Sequence, residues 1–61
     1  MPYVSVRLIG KLSSDQKIDI AERIAETLEE VANKSKEKTQ VVFDEVSSDN
    51  WIQGHQFIKG E

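Results

Sequence analysis

From Tyr3 to Ile9 the chain alternates, with Val4, Val6 and Leu8 on one side and Tyr3, Ser5, Arg7 and Ile9 on the other. A period of two is the signature of a β-strand. The even side is apolar and should meet a helix. The odd side is mixed, and Tyr3 and Ile9 on it suggest cover from another subunit. Gly10 breaks the strand, and Ser13 and Gln16 then stand at the spacing of a capping box, in which the serine oxygen accepts a backbone N–H and the glutamine side chain returns the bond. A helix should start here.

Its apolar positions are Ile18, Ala21, Ile24, Ala25, Leu28, Val31 and Ala32, widened by Ile20 and Thr27. They recur every three or four residues and form one stripe along about five turns. The opposite side carries Asp15, Asp19, Glu22, Arg23, Glu26, Glu29 and Glu30, a solvated face in which Asp19 with Arg23 and Glu30 with Lys34 are spaced as i,i+4 pairs. Asn33 can end the helix in the left-handed conformation, and Lys34, Lys36 and Lys38 follow where cations complement a helix C-terminus. From Thr39 to Val46 strand character returns, with an apolar centre at Val41, Val42 and Phe43 that suits a strand buried on both faces. After the turn-forming run Ser47-Ser48-Asp49-Asn50, the segment from Trp51 to Ile58 can form a small hairpin or an extended arm. Its large apolar groups, Trp51, Phe57 and Ile58, should pack onto a neighbouring subunit.

The order strand, helix, strand is a β-α-β unit with parallel strands. The expected fold is therefore α+β, a single β-α-β unit with a short C-terminal hairpin or arm, in one domain spanning residues 1–61. Two strands and one helix cannot close a core. A symmetric dimer would pair two units into a four-stranded sheet with both helices on one face.

Composition sharpens this. Sixty-one residues are marginal as a monomer. With no Cys and only His55, neither a disulfide nor a metal cluster can staple the fold, and no cofactor is implied. Oligomerisation is the remaining route to buried area. Eleven acidic against eight basic residues give a net charge of −3, without the basic stripe of a nucleic-acid binder. No stretch could cross a bilayer and no signal-peptide pattern is present, so the expected location is the cytoplasm.

The common catalytic motifs are missing: no phosphate-cradling glycine loop, no Ser/His/Asp set, no metal-ligand spacing. Asp44 and Glu45 are consecutive on a strand, point to opposite faces and cannot act as a paired acid and base within one subunit. His55 reads as a surface or interface histidine. Taken one residue at a time the sequence names no enzyme, and Pro2 reads either as an N-terminal residue with no role or as a positioned base. Methionine aminopeptidase accepts small second residues, and removal of Met1 would leave a secondary amine fused to a rigid strand. With Met1 attached, the Pro2 nitrogen is an amide without basicity.

The opening Pro2-Tyr3-Val4-Ser5-Val6, the run Ser13-Ser14-Asp15-Gln16-Lys17 before a long amphipathic helix, the strand Gln40-Val41-Val42-Phe43-Asp44-Glu45-Val46 and an aromatic followed by glycine in the tail together resemble the 4-oxalocrotonate tautomerase family. The resemblance covers nearly the whole chain. It implies dimers assembled into a hexamer, a trimer of dimers, with active sites at subunit boundaries and the N-terminal proline as general base. Pro2 would be that base, its pKa lowered by apolar walls and nearby cations, and Trp51 would supply a wall. Family members acting on dicarboxylates hold the carboxylates with two arginines, at positions that here read Leu12 and Gln40. Neither can make the bidentate charge-assisted pair of an arginine. Lys11, Lys38 and Arg7 are the cations placed to substitute. The resemblance thus implies an isomerase acting on a small enol or 2-keto acid, and the two departures imply either a substrate other than the dicarboxylate 2-hydroxymuconate or a weakened response to it. The alternative is an arginine-lacking structural subunit of a heterohexameric assembly.

Overall fold

The computed structural model describes residues 1–59; positions 60 and 61 of the expected domain lie outside the described residues. Strand β1 runs Tyr3–Ile9, helix α1 Ser14–Ala32 and strand β2 Gln40–Val46. A hairpin of β3 (Ile52–Gln53) and β4 (Gln56–Phe57) follows, and short 3₁₀ turns at Lys36–Lys38 and Ser48–Asn50 precede β2 and β3. Strands β1 and β2 are parallel, in a register that sets Tyr3 opposite Gln40 and Arg7 opposite Asp44.

The capping box forms as the spacing requires. The Gln16 N–H donates to Ser13 Oγ at 3.1 Å, and the Ser13 N–H donates to Gln16 Oε1 at 2.9 Å. At the other end Asn33 adopts φ 55°, and the Lys34 N–H turns back to the Leu28 carbonyl. That turn changes what the lysines do. The expected Glu30–Lys34 pair is not formed among the described residues, because Lys34 already lies beyond the cap, whereas Asp19 and Arg23 pair at 3.0 Å. No basic residue occupies the last helical turn. Lys36 instead folds back along the helix, its N–H donating to Glu29 and its ammonium lying 3.7 and 3.9 Å from Glu26 and Glu22.

The helix covers the even side of the sheet. Val4, Val6, Leu8, Val41 and Phe43 are half-buried beneath Ile20, Ala21, Ile24 and Leu28, and Ala25 alone among the described residues is buried. The stripe expected along the helix is narrower than its sequence: Ile18 and Val31 are exposed. Strand β2 is likewise not covered on both faces, since Val42 on the odd side is 45% exposed. One chain supplies a helix for one side only, so Tyr3, Ser5, Arg7 and Val42 face outward.

In the hairpin, Gln53 pairs with Gln56 and Ile52 with Phe57, leaving Gly54 and His55 as a two-residue loop. Gly54 takes φ 66°, the conformation this first loop position needs and a residue with a Cβ resists.

Candidate active site

The residues that carry candidate chemistry fall at two ends of the sheet. At the N-terminal ends of the strands Pro2 is half-buried, and its carbonyl accepts the Gln40 N–H at 2.9 Å. This bond continues the β1–β2 ladder back to the second residue, so Pro2 is anchored as part of the sheet. Lys38, in the 3₁₀ turn just before β2, lies at this same end and is exposed.

At the opposite end Arg7 Nε donates to Asp44 Oδ2 at 2.8 Å across the odd face. Arg7 and Asp44 line a cavity of about 460 Å³ with Val46, Asn50, Trp51 and Ile52. Trp51 is half-buried and held by the backbone: its N–H donates to the Ser48 carbonyl at 3.3 Å, and its carbonyl accepts from Ile58 at 3.0 Å. The second turn and the base of the hairpin thus fix the residue that carries the indole. Beside this cavity lies another, of about 380 Å³, whose lining includes Gly10, Lys11, Glu45 and Ser47.

Gly10, at φ 101°, turns the chain out of β1, and its N–H donates to the Val46 carbonyl at 3.1 Å. Leu12, half-buried, gives its N–H to Glu45 Oε2 at 2.7 Å, and the Lys17 ammonium meets Glu45 Oε1 at 2.9 Å. The hydrogen bond from Lys17 and then that from the Leu12 amide hold the Glu45 carboxyl below its ordinary value, against a smaller opposing effect of desolvation. Glu45 therefore ties the turn after β1 to the first turns of the helix.

Of the six site residues anticipated from the sequence, Arg7 and Trp51 share one cavity, and Lys11 and Leu12 lie at the same end of the sheet. Pro2 and Gln40 meet at the other end. Five residue steps along the strand separate Pro2 from Arg7, about 16 Å at the strand rise. No single chain brings them together. Asp44, Asn50 and Glu45 were not anticipated as site residues. The signal for Asp44 was available: opposite charges at matching odd positions of two parallel strands, Arg7 and Asp44, come side by side once the register is fixed.

A sequence model of a family described as "Tautomerase enzyme" matches residues 2–59. A 2-hydroxymuconate tautomerase of Bacillus subtilis is 31% identical over 51 residues, which cover 84% of this chain and 82% of the relative. Among solved structures, DmpI of Helicobacter pylori superposes with a TM-score of 0.80 at 29% identity, covering 92% of this chain and 88% of its own. YwhB, a homologue of 4-oxalocrotonate tautomerase, does so with a TM-score of 0.80 at 27% identity, covering 92% of each chain. The β-α-β unit with its terminal hairpin is the fold of these proteins.

Proposed function

We propose, from the premise that this chain belongs to the 4-oxalocrotonate tautomerase family, that it is an oligomeric isomerase moving a proton between the enol and keto forms of a 2-keto acid, with Pro2 as general base. The observation that carries this reading is the anchoring of Pro2 at the head of β1 by the Gln40 N–H. A base must be held within hydrogen-bond reach of the proton it moves, and a residue locked into a sheet ladder is so held. Once Met1 is removed, the neutral amine takes the enol hydroxyl proton while the carbonyl forms. The ammonium then returns a proton to the carbon end of the former double bond. No cofactor enters either step.

The distance between the ends of the sheet supports a site shared between chains. In this reading Pro2 of one chain faces the Arg7 and Trp51 cavity of another, in an oligomer proposed to be a hexamer. The relative from Bacillus subtilis bears the name of a dicarboxylate tautomerase. Here Leu12 and Gln40 are uncharged where the dicarboxylate enzymes of the family place arginines, so the substrate proposed for this chain is a different enol acid. Arg7 and Lys11 are the cations available to hold it, with Trp51 as an apolar wall.

The test is ketonisation of phenylenolpyruvate by the purified chain, after mass spectrometry shows that Met1 is gone. The wild-type chain should accelerate the reaction, and Pro2→Ala should reduce the rate by about a hundredfold or more, the range of a lost general base. Unchanged activity in the variant would exclude Pro2 as the base. An inactive wild-type chain lacking Met1 would instead favour the structural-subunit reading, which rests on the same two uncharged positions.

A further inference from the structure

The cavity under Trp51 holds one cation and one anion, and their arrangement is specific. Arg7 reaches Asp44 through Nε alone, so the guanidinium is held side-on. Among the described residues its two terminal nitrogens make no hydrogen bond to protein. An arginine has five N–H donors in a planar fork, and four of them remain uncommitted on a residue that lines a cavity of about 460 Å³, within the size range of small-ligand sites. The pair itself is exposed, with side-chain accessibilities of 65% and 46%, and such pairs contribute little to stability. The fold does not need this pair for its stability.

Resting on the isomerase reading above, we propose that this cavity is the acid-binding subsite and that it selects monocarboxylates with an apolar body over dicarboxylates. Arg7 takes the substrate carboxylate on its free terminal nitrogens, an end-on bidentate contact of the charge-assisted kind. Asp44 has two functions. It fixes the guanidinium plane by holding Nε, and it offsets the charge of Arg7, so that a second carboxylate on a ligand in this cavity would meet an anion, Lys11 lining the neighbouring cavity and not this one. Val46, Trp51 and Ile52 offer apolar surface to the remainder of the ligand, and the indole face suits an aromatic ring. Asn50 adds a neutral amide that can serve a carbonyl or hydroxyl oxygen. The selectivity arises from Asp44 as much as from Arg7, since discrimination of this kind depends on a repulsive element facing the wrong ligand.

The chain has a single tryptophan, and it lines this cavity, so its fluorescence reports the subsite directly. Binding is measured on the Pro2→Ala background, where turnover does not interfere, with two unreactive probes: 3-phenylpropionate and 3-(4-carboxyphenyl)propionate, which differ by one carboxylate. The monocarboxylate should change the Trp51 emission saturably and bind more tightly than the dicarboxylate. Adding Arg7→Gln should weaken the monocarboxylate by about tenfold or more, the scale of a lost charge-assisted contact. Adding Asp44→Asn should narrow or reverse the preference, and this second variant keeps the test decisive if Arg7→Gln fails to fold, which its melting curve reveals. Equal affinity for the two probes, a preference unmoved by Asp44→Asn, or a folded Arg7→Gln chain that binds as before would each overturn the proposal. Binding that follows the prediction in a chain that shows no ketonisation would fault the proton-transfer reading and leave the subsite standing.

Discussion

Glu45 sits on the helix side of β2, where the alternation of the strand calls for an apolar residue. Its partners explain its presence. Its two oxygens accept from the Leu12 amide and the Lys17 ammonium, and at 22% side-chain exposure it is the most enclosed member of any ion pair among the described residues. Because its pKa is lowered in the folded chain from an ordinary value of 4.5, its contribution to stability is present above that value and is lost as pH falls through the folded pKa. The wild-type chain should therefore melt at a higher temperature than Glu45→Gln at pH 7, with the gap closing on acidification below about 4.5. Thermal melts of both chains at pH 7 and pH 3 check this. A gap that stays constant with pH would mean that the charge of Glu45 is not what stabilises the turn. The same reasoning explains why Arg7 and Asp44, more exposed, are better read for what they leave open than for stability.

At the scale of elements, the helix is held by the packing of Ile20, Ala21, Ile24, Ala25 and Leu28 on the sheet and by caps that close both of its ends. The charged face carries the Asp19–Arg23 pair and the contacts of Lys36 with Glu22, Glu26 and Glu29, and two of the apolar positions, Ile18 and Val31, face solvent. Ser13→Ala removes one half of the capping box and should cost about 1 kcal/mol, read as a lower denaturation midpoint with unchanged slope. An unchanged midpoint would assign helix stability to packing alone. The elements themselves were legible in the sequence because each has a local cause: alternation for β1, the Ser13 and Gln16 box, left-handed Asn33, and the Asp49-Asn50 turn ahead of the tail. What the sequence concealed depended on partners. The central run of β2 reads as buried on both faces, yet Val42 is exposed because one chain has no element for that side. Lys36 reads as a cation for the helix end, yet the 3₁₀ turn carries it back to Glu22 and Glu26. Arg7 and Trp51 were legible as separate candidates, but their meeting over Asp44 required the register of two strands and the path of the tail.

The single chain is more open than a compact domain of its length. Its radius of gyration is 14.2 Å, against roughly 10.5 Å for a compact domain of this length. Its accessible surface is 5077 Å², against about 4,000 Å² for a compact monomer of this mass. The excess is apolar in part: Tyr3, Val42, Ile52 and Phe57 are all exposed. A parallel sheet normally has both faces covered, and a two-stranded hairpin is marginal without something to pack on. These same surfaces lie next to the two half-sites, Pro2 at one end and the Trp51 cavity at the other. Under the proposed function, association completes the fold and the active site together, so that base and binding cavity come from different chains. The most direct test is a mixing experiment. Pro2→Ala chains, which lack the base, and Arg7→Gln/Trp51→Ala chains, which lack the cavity, are each assayed for ketonisation, then unfolded together in equal amounts, refolded and assayed again. If the site spans two chains, about a quarter of the sites in a randomly assembled oligomer regain both parts, and the mixture should far exceed the mean of its parents. A rate equal to that mean, in oligomers shown by mass to contain both chains, would contradict the account.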